Sequence, residues 1–184
     1  MRPTEILKEE HQGIKVGLRI LGRIADKLQA GESVPPEHME QMVDFIRTFA
    51  DRCHHGKEED LLFGEMEKAG VPRQGGPIAV MLAEHDQGRS YVRAMADALP
   101  AYKAGDPAAA RRFAQNASNY IGLLTQHIDK EDNILYVIAD MHLSDEQQAC
   151  LLEGFERVET ERIGPGKHEE YHRMLERLSG IYLQ

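Results

Sequence analysis

The chain has 184 residues, enough for one domain, and sets 22 Lys+Arg against 31 Asp+Glu for a formal charge of −9. That sign repels phosphate backbones and anionic bilayers, so neither nucleic-acid nor membrane binding is expected. No apolar run approaches the roughly 20 residues of a spanning helix, the first residues hold no secretory h-region, and Cys53 and Cys150 form no CxxC pair.

A reducing cytoplasm is the expected compartment. With no Trp and 6% aromatics, the core must be built from Leu, Ile, Val, Met and Ala, which favours helices. Apolar residues recur at helical spacing and nowhere alternate over a strand length. A first helix is predicted over about 4–30, with Thr4 as its cap and Gly31–Pro36 as its break. A second follows to about Lys68 and ends at the loop Gly70–Pro77. The third covers about 78–102. Asp106 and Pro107 read as cap and first position of a fourth, running to about Met141. Ser144 and Gln147 form a capping box for a shorter helix to about Arg162, and a last amphipathic helix spans about 168–182. Short connections force antiparallel neighbours. The fold expected is all-α: an up-down-up-down four-helix bundle over 1–143, with two accessory C-terminal helices over 144–184 packed on the same domain.

Histidine is the outlier, with nine residues. His-x-x-x-Glu puts an imidazole and a carboxylate on one helix face, and five such pairs occur where chance gives about one. Two lie mid-helix, His54/Glu58 and His127/Glu131. Counting from the shared loops places His11 level with His54, and His85 level with His127, to within about 3 Å. Across the middle loop the counts match less well, unless that loop runs extended along the bundle. Four histidines, one per helix, then share a layer on apolar faces, with Glu58 and Glu131 one turn away. That is the geometry of a metal site.

The remaining histidines read differently. His55 and Glu59 stand about 100° round the helix and make an outer or surface pair. His38 and His142 fall near helix ends, in solvent. His168, His172 and Glu176 form a row on the last helix that reads as a docking face or a cap over the site. Cys53 is a small buried residue. Tyr120, two turns before His127, serves as core or as a hydrogen-bond partner of whatever the metal binds.

Glu10-His11, Cys53-His-His-Gly-Lys-Glu-Glu-Asp-Leu-Leu-Phe63, Leu82-Ala-Glu-His85 and Gln126-His-Ile-Asp-Lys-Glu-Asp-Asn-Ile-Leu-Tyr136 together resemble the hemerythrin-like, HHE cation-binding family over about residues 4–141. The resemblance implies two non-haem irons between four helices, bridged by two carboxylates, with His11, His54, Glu58, His85, His127 and Glu131 as ligands. Oxygen-carrying members have a second histidine four residues after the third-helix one; here that position is Arg89. They also place an Asp five residues after the last histidine. Here that is Asp132, and Glu131 is preferred because a spacing of four keeps it on the face of His127. Six protein ligands for two metals leave a position open for oxygen, nitric oxide or peroxide. Imidazole with carboxylate suits iron, and manganese and zinc also fit. The function expected is a di-iron protein that binds or senses a small oxidant. The alternative is a di-iron enzyme acting on peroxide or nitric oxide, or serving iron delivery or repair. No nucleophile dyad marks it as an enzyme.

Overall fold

The computed structural model describes residues 1–184 and contains six helices and no strand. Helix α1 (Pro3–Gln29) begins one residue before the expected cap. Proline fits the first helical turn, the Arg2 backbone N–H donates to Glu5 Oε2 at 2.7 Å, and Thr4 is freed to donate its hydroxyl to Asp140 Oδ1 at 2.8 Å. The helix closes as Glu32 N–H donates to the Lys27 carbonyl at 2.9 Å, with Gly31 at φ +76°, where a side chain would be strained.

Helix α2 (residues 36–68) is composite. It is α-helical over Pro36–Phe45, π-helical over Ile46–His55 and Glu58–Leu62, and α-helical again over Phe63–Lys68. Helix α3 (Pro77–Lys103) is regular. In α4 (residues 107–142), the Asp106 side chain accepts Ala108 N–H at 2.9 Å as expected of a cap, and a π-helical turn, Glu131–Leu135, interrupts the α-helix. The capping box of α5 (residues 145–163) forms, with Gln147 N–H donating to Ser144 Oγ and Ser144 N–H to Gln147 Oε1. Helix α6 (Lys167–Tyr182) completes the chain.

Helices α1 to α4 pack as a ring, each against the next and α4 back on α1. Gly17 lets α1 and α2 close up, since a Cβ there would stand 2.5 Å from the Phe45 ring. The apolar interior falls into two clusters. The larger holds Ile14, Leu18, Phe45, Phe49, Met95 and Phe113; the smaller holds Leu7, Phe63, Met66, Met81, Tyr136 and Phe155. Between them lies a layer of buried polar residues: His11, His54, His55, Glu58, His85, His127 and Glu131. Helices α5 and α6 cover the α1/α2 side of the ring, α6 chiefly along α1, with Tyr171 Oη donating to Asp44 Oδ2 at 2.8 Å and Lys57 Nζ to Glu159 Oε1 at 2.5 Å.

Candidate metal centre

The six residues singled out in the sequence meet in that one layer, and His55 joins them. Their donor atoms form two groups, each within 4.8 Å: His11, His54 and Glu131, and His55, Glu58, His85 and His127. Glu131 faces both, with Oε2 3.2 Å from His11 Nε2 and Oε1 2.8 Å from His127 Nε2. Glu58 belongs to the second group, with Oε2 3.3 Å from His85 Nε2, while its Oε1 accepts the hydroxyl of Tyr136 at 2.6 Å, and that hydroxyl lies 3.5 Å from His11 Nε2. The His85 and His127 rings bring their Nε2 atoms within 3.2 Å of each other. The eight-residue connection after Lys68 therefore absorbs the offset across the middle loop.

Each of the five histidines is oriented by a carboxylate at Nδ1, and each of those carboxylates by a cation. His54 bonds Glu10, which receives Lys57; His127 bonds Glu84, which receives Lys130. His11 bonds Asp132, which receives Lys15. His85 bonds Glu59 and His55 bonds Asp51, and both carboxylates receive Arg89. A histidine donating from Nδ1 presents Nε2 as a lone pair, which is how outer carboxylates prepare metal ligands. The layer and its rim hold seven carboxylates and four side-chain cations, so with neutral histidines the arithmetic, seven less four, leaves three negative charges.

The electrostatics follow from that surplus. Burial alone would push His11 down, but Asp132 and Glu131 outweigh it and hold it up at about 9. Burial likewise opposes charge on His85, and Glu131, Glu58 and Glu59 raise it to about 11. The neighbouring imidazoles hold Glu131 well below the carboxylate range despite its burial. His55 goes the other way: burial, then His85, pushes it well below its ordinary value. Four buried atoms, His54 Nε2, Glu58 Oε2 and both Glu131 oxygens, have no hydrogen-bond partner. Orphaned polar atoms of this kind are costly in a dry interior, and here all are atoms that bind cations. The residues fit a metal centre.

The His55/Glu59 pair differs from expectation. His55 is buried, stacks on the His85 ring at 3.9 Å between centroids, and turns toward the layer; Glu59 orients His85 rather than the surface. The reason is the π-helical turn ending at His55. An i→i+5 turn holds more residues than an α turn, so neighbours are separated by less than the α-helical 100°. His54 and His55 therefore both face inward. A second cluster, Glu10, Cys53 and His168, brings three donor types together, but the Lys57 ammonium already stands there as its cation. Burial also pushes the Cys53 thiol up to about 12, away from the thiolate a metal needs. His38 bonds Tyr182 Oη and His142 lies in solvent.

The chain matches the family described as Hemerythrin HHE cation binding domain over residues 2–139. It belongs to that family. Curated relatives include the uncharacterized proteins Mb2018 of Mycobacterium bovis and Rv1995 of Mycobacterium tuberculosis, each 28% identical over 160 residues. That alignment covers 87% of this chain and 62% of theirs, so the chain spans about three-fifths of their length. No solved structure matches significantly.

Within this cation-binding domain the two halves of the layer repeat each other. Glu10-His11 with Lys15 on α1 corresponds to Glu84-His85 with Arg89 on α3, and His54–Phe63 on α2 to His127–Tyr136 on α4. Glu58 and Glu131 each open a five-residue π-helical turn. Phe63 stacks near His85 at 6.2 Å and Tyr136 near His11 at 5.6 Å, both pairs inclined by 15°. The repeated histidine-to-aromatic segment, read as a pair, is the sequence signal that points to Tyr136.

Proposed function

We propose that this protein holds two iron ions in the buried layer and binds a small oxidant there, either oxygen, nitric oxide or peroxide. The carrying observation is the convergence of five histidines and two carboxylates with three orphaned oxygens at one depth, each imidazole aimed by its own carboxylate. His11 and His54 would hold one ion and His55, His85 and His127 the other, with Glu131 facing both and Glu58 beside the second. His55 thus supplies the fifth imidazole that Arg89 cannot. Imidazole with carboxylate in a surplus of negative charge favours iron over softer metals, and such a pair of ions would supply one-electron chemistry toward the oxidant.

The two-histidine position has fewer donors, so the open coordination position is assigned there. Tyr136 lies beside it, with Oη 3.5 Å from His11 Nε2, and burial, then Glu131 and Glu58, keeps its phenol protonated. A protonated donor at that place also supports the second reading, turnover of peroxide or nitric oxide, because a reduced oxygen atom needs a proton. Helices α5 and α6 are assigned as accessory to the same domain, bracing α2 through Lys57 and Glu159. A cytoplasmic location accords with two unpaired cysteines.

Metal analysis of anaerobically purified protein tests the reading. About two irons per chain, with oxo-to-iron charge-transfer bands on exposure to air, are expected. Protein without metal refutes it, and steady consumption of peroxide or nitric oxide selects the enzymatic reading.

A further inference from the structure

The two halves differ in one structural consequence of sequence. Three residues after His11, Ile14 fills its half, 2% exposed; three residues after His85 stands Gly88. A cavity of about 220 Å³ opens there between α2, α3 and α4, reaching His55 and His85 at its inner end. An ideal Cβ on Gly88 would lie 3.4 Å from the Tyr120 ring, so the missing side chain leaves that ring face free. The walls include Ile46, Val92 and Leu124, and the Tyr120 phenol, 2% exposed, lines the cavity with no side-chain hydrogen bond.

The volume exceeds the roughly 150 Å³ of a cavity that takes benzene and is far more than a diatomic occupies. The rim is cationic in a chain of net charge −9. Arg47 and Arg93 line it, both exposed and neither paired with a carboxylate, beside Arg89. The two carboxylates in the lining are already engaged, Asp51 by Arg89 and His55, and Glu84 by Lys130 and His127. Unpaired guanidiniums at the mouth of a cleft draw anions and grip carboxylates in bidentate fashion.

We infer that this cavity binds a small organic anion, with its charged group on Arg47 and Arg93 and an apolar body of about benzene size on Ile46, Val92, Leu124 and Tyr120. The inference rests on the cavity alone and extends the proposed function by naming a second ligand class beside the metal layer.

Calorimetric titration with three probes, on the protein as purified, tests it. Benzoate should bind at least tenfold more tightly than benzyl alcohol, which lacks the charge, and than formate, which lacks the body. The Arg47→Ala/Arg93→Ala double variant should bring benzoate down to the level of benzyl alcohol. Gly88→Ile, which copies the other half, should remove benzoate binding. Tyr120→Phe, a surer folder, should weaken it severalfold. Benzoate binding no tighter than that of either control, or indifferent to the arginine pair, overturns the inference. Metal content measured on the same samples separates the two readings. Iron-free protein that binds benzoate in this pattern refutes the iron reading alone, and two-iron protein blind to benzoate refutes the cavity alone.

Discussion

The two halves of the polar layer share a plan and differ at three points besides the exchange of Ile14 for Gly88. Both use an α-helical histidine four residues before a cation, a second histidine four residues before a glutamate, and a Lys-Glu pair that aims that second histidine. The α1/α2 half has Tyr136 against its histidine where the α3/α4 half has Phe63. The α3/α4 half gains His55, whose counterpart on α4 is Ile128. Lys57 is sealed under α5, whereas Lys130 keeps about a third of its side chain in solvent. A shared scaffold thus fixes the place of the metals, and single residues set their inequality: one half richer in imidazole, the other provided with a hydroxyl and an open position.

The sharpest way to break this comparison is His55→Ala. It should leave the His11/His54 half loaded and empty the other, giving about one iron per chain. Retention of two irons would return His55 to an outer role. Tyr136→Phe makes the aromatic pair identical. It should keep both metals while slowing reaction with peroxide by about 10²-fold, the usual contribution of a positioned proton donor. An unchanged rate would leave the hydroxyl no more than a brace for Glu58. The lysines sharpen the contrast in stability. Lys57→Met strands Glu10 in the interior and should cost about 3–5 kcal/mol in denaturant unfolding, against about 1 kcal/mol or less for Lys130→Met at the surface. Equal losses would deny α5 its sealing role.

A gentler test uses pH. In metal-free protein His11 is raised to about 9 and His85 to about 11, above the ordinary 6.5. The stability they contribute is complete below about 6.5 and drains away as pH climbs through about 9 and then 11. The melting temperature of metal-free protein should therefore fall between pH 7 and 10. In loaded protein it should stay nearly flat, because the cation replaces those protons. Loading at pH 7 should release at least two protons per chain, read from the buffer dependence of the binding heat. Smallest of all, His168→Ala/His172→Ala should leave metal content unchanged, since His168 meets Cys53 and His172 lies beside Phe49 rather than in the layer.

Much of this was legible in the sequence because it is local or additive. Helix number, the Asp106 and Ser144 caps, and the equal depth of His11 with His54 and of His85 with His127 follow from spacing and rise alone; bringing the two pairs level needed the connection after Lys68. Thr4 misled because Pro3 starts a helix as readily as a threonine caps one. His55 was hidden because a straight 3.6-residue period places it off the ligand face, and only the π-helical turn over Ile46–His55 brings it in. The turn opened by Glu131 does the same for Tyr136, whose spacing of five residues matches the i→i+5 step. The outer carboxylates and the buried Lys57 depend on which helix lies beside which. Such choices are tertiary and leave no periodic trace.

Mössbauer spectroscopy of anaerobic protein loaded with ⁵⁷Fe tests the unequal two-iron layer most directly. The prediction is two ferrous doublets of equal area at two irons per chain, with His55→Ala removing one of them. A single doublet at one iron per chain, or two that both survive the loss of His55, would contradict it.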